Sequence, residues 1–324
     1  MTLLTRRQLS RGLAAAAVAM PSIARGQTFP SRPIRFVLPF AAGGVADITS
    51  RLAAEKLGDK LGQRLVVENQ PGPGGIAAAR SVTTAAPDGH TLALVTNGTA
   101  ISVALYKSLP FDPVKDFAPI SALGTFDLVF ATNADSEFKT LGDFIKAARE
   151  KPGALNVGTI AVGSTQNLGA ELFKSTANLN FQIVPYRTTP DVTVALLRND
   201  VHLMVEFYAA MKGGLTDGKL RPVGTSGLAR ASYLPSVPTV AEAAPGYEVT
   251  SWNGIAAPAG TPQAIIERVN ALMREILAAP DVKAKYAEFG VEAKASSPTE
   301  FKTRLEADIK KWSAVIEKAG IPKQ

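Results

Sequence analysis

Three segments of the chain put glycines and small hydroxyl or amide side chains where a strand is predicted to give way to a helix. They are Ala41-Ala42-Gly43-Gly44, Asn97-Gly98-Thr99 and Gly163-Ser164-Thr165-Gln166. The first N–H groups of a helix have no acceptor within it, so such a start can hold an anion without any cationic side chain. Serine and threonine hydroxyls and side-chain amides add further donors. The same residue types also build ordinary turns and caps, so one such segment alone decides nothing. Three of them, drawn from two separate blocks of the chain, point to a cleft that binds a small anion. Asp47 falls in the first turn after Gly44, where a carboxylate suits the helix dipole. A structural role there competes with ligand contact.

Other chemistries find less support. Gly72-Pro73-Gly74-Gly75-Ile76-Ala77 fits the spacing of a dinucleotide-binding loop between a strand and a helix. However, it follows the second predicted strand rather than the first, and Pro73 removes a backbone donor. No acid ends the next strand, residues 91–95, to hold a ribose. Nucleophilic catalysis has few candidates: no G-x-S-x-G elbow, no cysteine, and only His90 and His202. His90 follows a Pro-Asp-Gly turn and is expected at the surface, while His202 is expected in a hydrogen-bonded structural role. Two distant histidines without cysteine argue against a zinc site, and no metal or cofactor is expected. A serine hydrolase using Ser164 is the alternative of a different class.

These loops need strands and helices to carry them. Residues 34–40 form a short apolar run, as a strand buried on both faces would. A helix with Ile48, Leu52, Leu57 and Leu61 on its apolar side is expected next, then strands at 65–69 and 91–95. A second block begins near Phe126, with strands at 128–132, 155–158, 183–186, 201–205 and 221–225. Its first helix carries a Thr140…Asp143 capping box. From Trp252 onward the pattern is mostly helical. Thr261 is the expected N-cap of a helix with Pro262 at its first position, and Pro280 closes that helix. Ser297 and Glu300 form a capping box for a last helix ending at Gly320, with Trp312 in its core face. Alternating strands and helices with short connections predict an α/β protein built on mostly parallel sheets.

The chain has 324 residues and a formal charge of +7. Residues 1–26 read as a cleavable export signal: Arg6, Arg7 and Arg11 precede a short apolar stretch, residues 13–20, and small residues follow. That stretch is well short of the roughly 20 residues a bilayer span needs. Thr5-Arg6-Arg7-Gln8-Leu9 also resembles a twin-arginine signal, so the export route is left open. Without residues 1–26 the chain keeps 31 Lys and Arg against 28 Asp and Glu, or +3. No cluster of basic and aromatic residues remains, which argues against nucleic acid as a partner. The remaining length suits two domains with a full core each.

The segments 32–47, 67–75 and 86–89 resemble the Bug-type periplasmic receptors, the substrate-binding proteins of tripartite tricarboxylate transporters. So do Phe111-Asp-Pro-Val-Lys-Asp-Phe-Ala-Pro119, Leu234-Pro-Ser-Val-Pro-Thr-Val-Ala-Glu242 and Ala257-Pro-Ala-Gly-Thr-Pro262. The resemblance spans essentially all of the chain after the predicted signal. It implies a two-domain, type II-like periplasmic-binding-protein fold, with domain 1 from residues 27–125 and 250–324 and domain 2 from 126–249. A small organic carboxylate (a di- or tricarboxylate, an aromatic acid or an acidic amino acid) would lie in the interdomain cleft. The receptor would be a periplasmic monomer serving membrane permease subunits or a sensor. Carried over residue by residue, the family's site implies contacts from Phe40, Ala41, Ala42, Gly43, Gly44 and Asp47. It also implies contacts from Asn97, Gly98 and Thr99 and from Gly163, Ser164, Thr165 and Gln166. Three positions depart from the family's pattern where the ligand's far end would be read. Asn167 stands where histidine is expected, Tyr186-Arg187-Thr188-Thr189-Pro190 replaces the usual Tyr-x-Gly, and Glu206 replaces the commoner aspartate. Tyr186 and Glu206 therefore join the expected contacts, but the ligand's identity does not carry over.

Overall fold

The structure is a computed structural model that describes residues 29–324; the predicted export signal lies outside the described residues. The chain first builds β1 (Ile34–Leu38), α1 (Val45–Leu61), β2 (Leu65–Asn69), a 3-10 turn (Pro73–Gly75), α2 (Ile76–Thr83), β3 (Thr91–Thr96) and α3 (Asn97–Leu105). β1 lies between β2 and β3, parallel to both, so all three strands deliver their carboxyl ends to one edge. That edge carries the loops after β1 and β3. β1 is buried almost throughout, as its unbroken apolar run requires. α1 turns a face of small residues to the sheet. Ala53, Ala54, Leu57 and Leu61 are buried, whereas Ile48 and Leu52 are half-buried at its flank.

β4 (Phe117–Asn133) then runs 17 residues without a break. Residues 117–127 pair antiparallel with a later strand, β9 (Thr250–Pro258). At Leu128 the neighbour changes to β7 (Leu203–Phe207), and β8 (Leu220–Thr225) pairs on the other side from Val129 on. Between β4 and β9 come α4 (Leu141–Glu150), β5 (Asn156–Ile160), α5 (Thr165–Thr176), β6 (Gln182–Tyr186), α6 (Thr189–Leu197), α7 (Tyr208–Thr216) and α8 (Val240–Ala243). β5 is parallel to β6 and β7, repeating the arrangement of the first block. The parallel strands thus lie outside, and the antiparallel β4 and β9 join the two groups in a mixed sheet flanked by helices.

After β9 follow α9 (Gln263–Ala278), α10 (Pro280–Ala287), β10 (Glu292–Ala293) and α11 (Pro298–Lys318). Three expectations need correction here. The helical part of the tail begins at Gln263, not at Trp252. Residues 250–258 form the joining strand β9, whose glycine and alanines carry little strand signal but leave room for α11: a Cβ at Gly254 would sit 2.1 Å from the Phe301 ring. The N-cap of α9 is Pro262, not Thr261, whose hydroxyl donates to the carbonyl of Pro258. Pro280 does not only end α9; it is the first residue of α10. Both predicted capping boxes, Thr140 with Asp143 and Ser297 with Glu300, are present.

Asp127 sits where β4 changes partners and borders a side cavity of 440 Å³, together with Tyr233, Glu292, Lys294 and Arg304. Burial pushes its carboxyl up to about 6. Glu248 and Glu292 add to that, and Thr250 and Arg304 oppose it. The folded protein therefore holds this proton more tightly than the unfolded chain does. The stability this gives is complete below about pH 4 and lost as the pH rises through 6. Asp127→Asn is expected to be about 1–2 kcal/mol more stable than the parent at pH 7.5 and no more stable at pH 4. Urea denaturation at the two pH values checks it; a constant difference would refute the shift.

Candidate functional site

A cleft of 720 Å³ opens at the carboxyl ends of the parallel strands, with Phe126 of β4 and Ser251 and Asn253 of β9 among its lining residues. One wall comes from the loops after β1 and β3. Gly44 is the N-cap of α1 with an ordinary extended backbone and no side-chain cap. The helical bonding begins with Ile48 N to Gly44 O at 3.0 Å. The N–H groups of Val45 and Ala46 precede that bond, and both residues line the cleft with Gly44 and Phe40.

This loop is held from behind by Asp47, which is 3 % exposed and does not line the cleft. Its carboxylate accepts from Gly43 N at 2.9 Å, Asn69 Nδ2 at 2.9 Å and Arg51 Nε at 3.0 Å. Asn69 Nδ2 also donates to the carbonyl of Phe40, and Arg51 Nη2 donates to Asn69 Oδ1. Burial pushes the Asp47 carboxyl up, but the bonds from Arg51, Gly43 and Asn69 outweigh it and hold it below the usual range. Asn69 and Arg51 are scaffolding residues that sequence reasoning missed. Their only signal was proximity in sequence to a loop and a helix start.

The second wall position is the start of α3. Gly98 lines the cleft, while Asn97 and Thr99 do not. Buried Asn97 links three elements. Its Oδ1 accepts from Trp312 Nε1 on α11 at 2.7 Å, and its Nδ2 donates to Thr165 Oγ1 on α5 at 3.0 Å. Thr99 Oγ1 accepts from Thr96 N. Trp312 is core, as expected, and also aims the amide that joins the two sides of the cleft.

Across the cleft, Gly163, Ser164, Thr165 and Gln166 all line the wall. Gly163 has φ +79°, and a Cβ there would meet Leu105 Cδ2 at 2.5 Å, so only glycine fits. Ser164 is the N-cap of α5: its Oγ accepts from Asn167 N at 3.1 Å, and Asn167 Oδ1 accepts from Gly163 N at 3.1 Å. Gln166 Nε2 donates to Glu206 Oε1 at 2.5 Å. Glu206 also accepts from Phe207 N at 2.8 Å and from Thr189 Oγ1 at 2.6 Å. Burial pushes the Glu206 carboxyl up, against the opposing effect of those three bonds. Glu206 lies behind Gln166 rather than on the wall, and Tyr186, Ala41, Ala42 and Gly43 are also absent from the lining.

Neither histidine lies at this edge. His202 Nδ1 accepts from Asn156 N at the opposite end of β5 from Ser164. His90, expected at the surface, is 4 % exposed: its Nε2 accepts from Ser31 N and its ring packs edge-on to Phe29. The residues before β1 fold over the turn, a contact invisible from the turn itself.

Among the described residues, no Asp, Glu, Lys, Arg or His side chain lines the cleft. Its positive character comes from the amino-terminal ends of α1, α3 and α5, each carrying roughly half a unit charge. Such a site can bind and desolvate an anion. The sequence pattern of the tripartite tricarboxylate transporter family receptor matches residues 49–321. The chain belongs to that family. Among relatives of this receptor, the protein BugT of Bordetella pertussis is 30 % identical over 95 % of each chain. A solved structure of R. palustris Rpa4515 with adipate is 32 % identical, with a TM-score of 0.80 over 91 % of this chain and 100 % of the other. MatC from Rhodopseudomonas palustris, solved with bound malate, is 31 % identical, with a TM-score of 0.74 over 89 % and 100 %. The Bug-type resemblance and the α/β periplasmic-receptor fold read from the sequence both hold for this receptor.

Proposed function

We propose that this receptor captures a small organic carboxylate in the cleft, in the periplasm, and hands it to membrane permease subunits or a sensor. One carboxylate is held by the N–H groups of Val45 and Ala46 and by donors at Gly98, Ser164, Thr165 and Gln166. Of the described residues, 29–125 with 250–324 form one lobe and 126–249 the other, and they close about β4 and β9. The observation that carries this is a cleft lined, among the described residues, by no Asp, Glu, Lys, Arg or His side chain, into which three helix starts are directed. The adipate and malate bound by two relatives agree with it. Ser164 is an N-cap remote from both histidines, which gives no support to a hydrolase.

A thermal-shift panel of di- and tricarboxylates, aromatic acids and acidic amino acids tests the proposal. A ligand at 100 times its Kd adds about 2.7 kcal/mol, which for a chain of this size raises Tm by about 5 °C. No shift with any carboxylate, together with esterase activity that Ser164→Ala removes, would overturn it.

A further inference from the structure

Behind the helix starts, the cleft is walled mainly by apolar side chains, Phe40, Ile101, Leu105, Phe126, Val162 and Phe207. Phe40 and Val162 are 39 % and 44 % exposed, two of the few large apolar side chains the surface leaves open. They stand on opposite sides, Phe40 after β1 and Val162 after β5. Phe126 and Phe207 stack edge to face at 4.9 Å where β4 passes from β9 to β7. Open phenyl and isopropyl surface facing a cleft is surface that a bound molecule can cover. The polar side chains are fewer: Thr96, Ser164, Thr165 and Gln166 at the helix starts, Ser251 and Asn253 on β9, and Ser102, Tyr106 and Gln324 on the α3 side. Gln166 offers an amide whose nitrogen is already held by Glu206.

We propose that the ligand is a carboxylate with an apolar body, an aromatic acid or a medium-length aliphatic diacid, and that Phe40 and Val162 clasp that body. The proposal rests on the carboxylate function above and narrows it. A short hydroxy-acid such as malate or citrate would bring its hydroxyl, and citrate a third carboxylate, against the phenyl rings, without an apolar body to cover them. Those groups would lose water without gaining partners. An apolar body loses nothing of the kind and gains from leaving water.

Titration calorimetry with benzoate, adipate, malate and citrate on the parent, Phe40→Asn and Val162→Asn tests it. Both positions are exposed, so the variants are expected to melt with the parent. In the parent, benzoate or adipate should bind at least about tenfold more tightly than malate and citrate. Each variant should reduce that ratio by about threefold to tenfold, through weaker binding of the apolar acids. Malate or citrate binding as tightly as the apolar acids would overturn the proposal and leave the carboxylate function standing. Variants that keep the parent's ratio would also overturn it, by removing the clasp. Binding of none of the four acids, or of any carboxylate in the thermal panel, would instead strike at the function on which it rests.

Discussion

Gly44→Val is expected to abolish carboxylate binding, with a loss of at least about a hundredfold, near 2.7 kcal/mol, and to leave the fold in place. Gly44 has φ −80° and ψ 169°, a conformation open to any residue, and a Cβ there would meet nothing within 4 Å. Nothing inside the protein therefore resists the substitution. The new methyl groups would stand beside the free N–H groups of Val45 and Ala46, where an anion must come within hydrogen-bonding distance. The stability cost is that of a poorer N-cap, at most about 1 kcal/mol. Gly43 would be the wrong choice, because its φ of +91° would strain any other residue and confuse lost binding with lost structure. Calorimetry and a melt of the unliganded variant check the result. An affinity within about threefold of the parent would show that the loop is only a turn.

Asp47→Ala is expected to damage both stability and binding. It leaves Gly43 N, the Asn69 amide and the Arg51 guanidinium without the acceptor they share. Arg51 is half exposed and can turn to water, but Gly43 N is pinned by the loop. Removing one partner of such a network costs about 2–3 kcal/mol. The loop that presents Val45 and Ala46 then loses its anchor, so affinity should fall about tenfold or more. The folded protein holds the Asp47 carboxyl below its usual range. The stability it gives is therefore full above about pH 4 and disappears as the pH falls further. Denaturation curves of parent and variant should differ at pH 7 and converge toward pH 3. Equal stability at pH 7 would show that the network contributes nothing.

The two substitutions also mark how far the candidate site could be read beforehand. Gly44 was legible because a helix start after an apolar strand is a local pattern, with consequences for its own backbone. The double role open to Asp47 was legible too. Its partner Asn69 was not, because β2 must first lie beside β1 in the right register to bring that amide under the loop. Gln166 and Glu206 were both expected contacts, but their mutual bond was not legible, because it forms only through the pairing of β5 with β7. His90 and β9 were misjudged for a related reason. One is covered by residues 59 positions away, and the other is a strand only because β3 and β4 flank it.

By itself the sequence determined the short-range features: the caps at Thr140 and Ser297, the strand runs, and the glycines where helices begin. These depend on hydrogen bonds and rotations within four residues, which composition and spacing report directly. Only the tertiary structure decided which of those helix starts share one cleft and what stands behind them. Asn97 meets Trp312 across 215 residues and Thr165 across 68. The apolar-walled cleft exists because β4 and β9 hold the two groups of parallel strands with their loops face to face. Side-chain contacts at such separations follow from sheet register and helix packing, which a chain acquires only when the whole core closes.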